Sequence, residues 1–223
     1  GCVPYRGFFA REDAERHGER LRSAGNDVNV RGVPAYSTLG RFDDPLLSTF
    51  IRNPDAELAR LIFHELAHQL LYVKGDSTFN ESFAVAVERA GVQRWLAATG
   101  RSPALKVFFE SQERRKKFLE ELEQSGTRLK TLYAMPLPPE VMRERKRAEF
   151  AQLKKALQSN PRLKDVEPNN ALLASFATYN QLVPAFELLL QEEGGDLEKF
   201  YARVKTLSAS ERSSRGPLST PSR

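Results

Sequence analysis

Between residues 54 and 73, apolar side chains recur three or four positions apart, at Leu58, Leu61, Ile62, Leu66 and Leu70. That spacing gathers them on one side of a helix and predicts that this side is buried. The stretch opens on Asn53-Pro54-Asp55. Asn53 can cap, Pro54 suits the first helical position, and Asp55 and Glu57 complement the positive end of the helix dipole. The helix is expected to reach about Val73 and stop near Gly75, and Asn80 to cap a second one that runs to about Thr99, before Gly100.

Upstream, Ala10 to Ala24 reads as a charged helix ended by Gly25. Asp27-Val28-Asn29-Val30-Arg31 alternates polar and apolar, the period of a strand. After Gly32 and Pro34, Ala35 to Leu39 is expected to resume as extended chain, and Asp43-Asp44-Pro45 to turn. Downstream, a long amphipathic helix is expected from Pro103 to Tyr133. Pro136, Pro138 and Pro139 break it, and Pro139 starts another to Gln158. Asn169 to Tyr179, Leu182 to Gln191 and Asp196 to Leu207 complete the set. Ser208 to Arg223, rich in Ser, Pro and Arg, reads as a disordered tail. There is no internal repeat and no linker. The expected class is α+β and predominantly helical, with a small N-terminal sheet and a C-terminal helical region, in one domain over residues 1–207.

Composition narrows this little. The 223 residues are 28% charged and 40% hydrophobic, a globular composition long enough for a core without disulfides. The longest apolar stretches fall well short of the ~18 residues of a membrane span. One cysteine, Cys2, excludes an internal disulfide framework and a cysteine-rich zinc module. The net charge of +5 implies no nucleic-acid partner. The basic runs Arg114 to Lys117 and Arg143 to Arg147 are interleaved with acids and read as solvated, salt-bridged helix faces. The chain opens on Gly1-Cys2-Val3-Pro4, without Met or signal peptide, and reads as an internal start.

The chemistry concentrates in His64-Glu65-Leu66-Ala67-His68. Two histidines four apart on a helix share a face, so both imidazoles can reach one metal ion, and the intervening glutamate can reach a water beside it. The chain has three histidines, and His17, in the charged helix, reads as a surface residue. A catalytic zinc keeps three protein ligands and an open position, so the third must be a carboxylate. Glu81, Glu88 and Asp76 are the candidates. Position favours Glu81, leaving Glu88 and Asp76 to orient an imidazole through its free nitrogen. The motif implies metal-assisted amide hydrolysis, with Glu65 as general base and then general acid. On the extended segment, Tyr36, Ser37 and Thr38 either bind a peptide by strand addition or form a plain buried strand. Asn169 and Asn170 read as a helix cap before a catalytic pair.

His64-Glu65-Leu66-Ala67-His68-Gln69 followed by Asn80-Glu81-Ser82-Phe83-Ala84 resembles the pairing of gluzincin aminopeptidases, although the loop between the halves is several residues shorter here. In those enzymes the glutamate after the asparagine is the third zinc ligand. Over residues 1–207 the chain resembles a narrower bacterial family, described as putative zinc aminopeptidases. Its members carry Gly-Cys-Val-Pro-Tyr-Arg-Gly (1–7), Ala-Tyr-Ser-Thr-Leu-Gly (35–40), Asp-Pro-Leu-Leu-Ser-Thr (44–49) and Phe-Asn-Glu-Ser-Phe-Ala (79–84). They also carry a late Asn-Asn-Ala (169–171) and Ala-Thr-Tyr (177–179). Arg41 departs from the pattern by standing where an aromatic residue is expected, on one wall of the cleft.

The resemblance implies a zincin-like metallopeptidase with one Zn2+ per chain held by His64, His68 and Glu81, acting on a peptide or protein substrate. Tyr179 either donates its hydroxyl to the oxyanion, a role tyrosines play in related zinc peptidases, or is an ordinary half-buried tyrosine. An upstream region, often with a lipoprotein signal, would place the protein in the cell envelope, periplasmic and membrane-anchored. Aminopeptidase action needs an acid for the substrate's α-amine. Val33 to Gly40 contains none, and Asp43 and Asp44 are the nearest. A zinc endopeptidase therefore stays open beside it, as does a metal-binding scaffold without turnover, against which the presence of Glu65 argues.

Overall fold

Eight helices make up the regular structure of the described residues, which in the computed structural model are 6–32, 51–158 and 163–214. In chain order they are α1 (Arg11–Ser23), α2 (Asp55–Leu70), α3 (Ser77–Ala98), α4 (Ser102–Tyr133), α5 (Pro139–Leu157), α6 (Asn170–Asn180), α7 (Val183–Glu192) and α8 (Leu197–Ser214). None of them is long and apolar enough to cross a membrane. α8 runs past Ser208, where the sequence places the start of the tail.

α3 is the central element. Ten consecutive residues, Phe79 to Glu88, are buried, so the helix has no solvent face there. A helix buried all round is surrounded by other elements, and α3 packs against α2, α4, α6 and α7. Small residues set how closely. A Cβ on Gly91 would lie 2.7 Å from the Phe63 ring, so glycine is what lets α2 and α3 approach. On the opposite flank, Phe79 and Phe83 join Phe186 of α7 and Phe200 of α8 in a ring cluster with edge-to-face contacts. A second core, with Leu122, Leu129, Phe150, Leu153 and Leu172, closes α4, α5 and α6 on one another.

α2 ends at Leu70, short of the expected Val73, and neither asparagine expected at the starts of α2 and α3 caps its helix. α2 begins one residue after Pro54 and makes no side-chain cap bond, so Asn53 does not cap it. α3 is capped by Asp76, whose Oδ1 accepts from Phe79 N at 3.0 Å. Asn80 lies one turn inside the helix. Its Oδ1 accepts from Val73 N at 2.7 Å and its Nδ2 donates to Val73 O at 2.8 Å. The buried amide thus satisfies the backbone of the α2–α3 connection, which no regular element serves.

The expected N-terminal sheet is overturned: there is no strand among the described residues, and the class there is helical instead of α+β. Asp27 to Arg31 carries a strand's alternation but has no ladder partner among them. Its polar groups are taken by helices: Asp27 Oδ2 accepts from Lys146 Nζ at 2.8 Å and Asn170 Nδ2 at 2.7 Å, and Val28 O accepts from Asn169 Nδ2 at 2.9 Å. Val28 and Val30 pack against Gly18 of α1, where a Cβ would meet Val30 Cγ2 at 2.9 Å. Capture by the side chains of Lys146, Asn169 and Asn170, with packing on Gly18, stands where cross-strand pairing was expected, and no sheet forms among the described residues.

Candidate metal centre

His64 and His68 stand on one stripe of α2, the first one turn before the second, and Glu57 and Arg60 continue that stripe toward the N-terminus. On α3, Glu81 and Glu88 are seven residues apart and so share a face as well. The helices meet in antiparallel steps. Glu81 Oε2 lies 3.2 Å from His64 Nε2 and 3.7 Å from His68 Nε2. Glu88 Oε2 lies 3.0 Å from His64 Nδ1 and 3.2 Å from Arg60 Nη1. Two carboxylates inside a core helix are tolerable only because α2 sets a cation or an imidazole opposite each.

The electrostatics follow from that pairing. Burial opposes a charge on His64, but hydrogen bonds with Glu81 and Glu88 outweigh it and raise its pKa to about 9. Burial also opposes the charge on Glu81, yet His64 and His68 together lower its pKa to about 2. Glu88 is likewise lowered, against burial, by His64 and Arg60. The ion-free arrangement is a protonated imidazole between two carboxylates.

The same donors fit a metal ion. His64, His68 and Glu81 each offer one ligand atom, all within 4.8 Å of one another. Donors about 2.0–2.2 Å from a tetrahedral zinc stand roughly 3.3 Å apart, and the separations of 3.2 and 3.7 Å bracket that value. Two imidazoles and a carboxylate are a donor set that zinc takes readily. His64 has its outer nitrogen fixed by Glu88, as metal-ligating histidines require. The outer Nδ1 of His68 is buried with no hydrogen-bond partner.

Glu65 is partly exposed. It lies about 100° round α2 from His64 and about 60° from His68, at the edge of the ligand stripe. The Tyr179 ring, on α6, lies beside His64, with centroids 6.4 Å apart and planes at 26°. Asp76 acts as the α3 cap. Tyr36, Ser37 and Thr38 lie outside the described residues, as do Asp43, Asp44 and Arg41. Asn169 caps α6 by accepting from Leu172 N at 2.9 Å, and Asn170 binds Asp27 and Tyr133. His17 stays on α1, against Phe8 and Arg20. In the basic runs, Arg143 pairs with Glu140 and Lys146 with Asp27. Arg115 departs from the solvated-face reading: its Nε is buried without a hydrogen-bond partner, and its charge interacts with those of Glu88 and Arg60.

Arg60 was legible only in retrospect. It sits four residues before His64 on the same stripe, but a lone arginine in a helix carries no motif.

A family model described as "Putative aminopeptidase" matches residues 1–217, and the chain belongs to that family. No curated protein and no solved structure matches it.

Proposed function

With membership of that family as the premise, we propose that this protein is a zinc-dependent aminopeptidase whose centre is His64, His68 and Glu81. The observation that carries the reading is the convergence of those three donors within 4.8 Å. Bound there, zinc would supply Lewis acidity, activating a water and polarising the peptide carbonyl.

The residues around it divide the remaining work. Glu65, at the edge of the ligand stripe, accepts the proton of the attacking water on a carboxylate oxygen and returns it to the nitrogen of the leaving amine. Glu88 accepts from His64 Nδ1, which leaves Nε2 facing Glu81 and His68. Tyr179 supplies a hydroxyl to the oxyanion of the tetrahedral intermediate. The ring contact between Tyr179 and His64 supports that role by bringing α6 beside the ligand histidine.

The test is metal content together with hydrolysis of a mixed peptide library read by mass spectrometry. About one zinc per chain and stepwise loss of N-terminal residues are expected. Internal cuts would replace the aminopeptidase with an endopeptidase. Stoichiometric zinc with no cleavage would favour a metal-binding scaffold, and failure to take up zinc would remove the metal centre.

A further inference from the structure

We propose that Arg60 is a positioning residue for the metal site: it holds Glu88 so that Glu88 can hold His64. The inference rests on the metal reading above and adds a residue that neither the motif nor the family description assigns.

Arg60 Nη1 donates to both oxygens of Glu88, at 3.2 Å each, so the carboxylate is gripped symmetrically. The other edge of the guanidinium is fixed by its Nε, 3.4 Å from Glu57 Oε2. All three residues of α2 involved, Glu57, Arg60 and His64, lie on one stripe, so helix geometry alone sets the arginine one turn from the imidazole. The Glu88 side chain is 3% exposed and that of Arg60 29%. A carboxylate this deep keeps a fixed orientation only while its partners hold it.

A histidine that gives Nε2 to a metal carries its proton on Nδ1 and donates it to an outer acceptor, and Glu88 Oε2 stands 3.0 Å from His64 Nδ1. Among the described residues, Arg60 is the one arginine or lysine in ion-pair contact with Glu88. Arg115 attracts Glu88 from beyond hydrogen-bonding range.

The experiment is a chelator competition for zinc on the full chain, comparing wild type, Arg60→Gln, Glu88→Gln, the double variant and Arg60→Lys. Each metal-free form is also melted. Each Gln variant should weaken zinc binding by about 10–100-fold, the usual cost of losing an outer partner. If the two act as one unit, the double variant should be no weaker than about the worse single one. Arg60→Lys, which keeps the charge but not the two-sided grip, should recover part of the affinity. Arg60→Gln within about threefold of wild type, or losses that multiply in the double variant, would overturn the proposal. Should Arg60→Gln melt below the assay temperature, the same cycle run with Arg60→Lys decides by the same criterion. Wild-type chain that takes up no zinc would instead overturn the metal reading on which this one stands.

Discussion

Asn80 and Val73 exchange two hydrogen bonds, side-chain amide to backbone, at 2.7 and 2.8 Å. Val73 lies in the connection after α2, and Asn80 immediately precedes the metal-site glutamate on α3. The pair therefore sets how far α3 slides and turns against α2, and with it where Glu81 meets His64 and His68. Asn80→Ala would leave Val73 N buried and unpaired, because Val73 is only 7% exposed, while Val73 O keeps its bond from Asp76 N. The expected cost is about 1–3 kcal/mol in urea unfolding, accompanied by weaker zinc binding. An alanine variant as stable as wild type would show that the connection finds other partners.

Glu65→Gln should keep the zinc and lose turnover. The substitution removes the proton acceptor without changing the ligand set, and general acid–base catalysis is worth about 10²–10⁴-fold. Metal content by atomic absorption, measured beside peptide hydrolysis, separates the two effects. A variant that loses both would make Glu65 a ligand.

Glu81→Ala should weaken zinc binding more than Glu88→Ala. Glu81 is within reach of both histidines, whereas Glu88 touches the far nitrogen of His64. Loss of an outer partner costs about 10–100-fold, and loss of one of three ligands should exceed that. The opposite order in a chelator competition would reassign the ligand.

Tyr179→Phe removes a hydroxyl and leaves the ring against His64. If that hydroxyl binds the oxyanion, kcat should fall by about 10²–10³ with metal content and melting temperature unchanged. A structural hydroxyl would instead cost roughly 1 kcal/mol of stability and leave kcat alone. One variant measured for kcat and Tm distinguishes them.

The metal-free fold should be most stable between pH 4.5 and 6.5. His64 is raised from 6.5 to about 9, so its contribution is complete below 6.5 and is lost as pH rises through about 9. Glu81 is lowered from 4.5 to about 2, so its contribution is present above 4.5 and is lost as pH falls through about 2. Melting temperature against pH should show that plateau in chelator and lose its alkaline limb once zinc is added. Zinc uptake near pH 7.5 should release about one proton from His64. Titration calorimetry in buffers of different ionisation enthalpy measures it, and zero release would mean that His64 is already neutral.

Much of the site could be read from the chain because it is local. Helix geometry places residues four apart on one face, so His64-Glu65-Leu66-Ala67-His68 specified two convergent imidazoles and a carboxylate at their edge before any packing was known. Proline likewise marked the end of α4 and the start of α5. What depended on distant partners was not legible. Glu81, Glu88 and Asp76 are all carboxylates at plausible distances along the chain. Their separate places, between two histidines, behind one of them and at the head of α3, follow from the rotation of α3 against α2. That rotation is set by the Asn80–Val73 pair and by the close approach of Gly91 to Phe63. Asn80 itself carries the local signature of a cap, which Asp76 takes because the amide is used across the connection. The alternation in Asp27 to Arg31 carries the signature of a strand, but a strand exists only if another backbone pairs with it. Among the described residues the partners are the side chains of Lys146, Asn169 and Asn170, more than a hundred residues away, and only the tertiary fold brings them there.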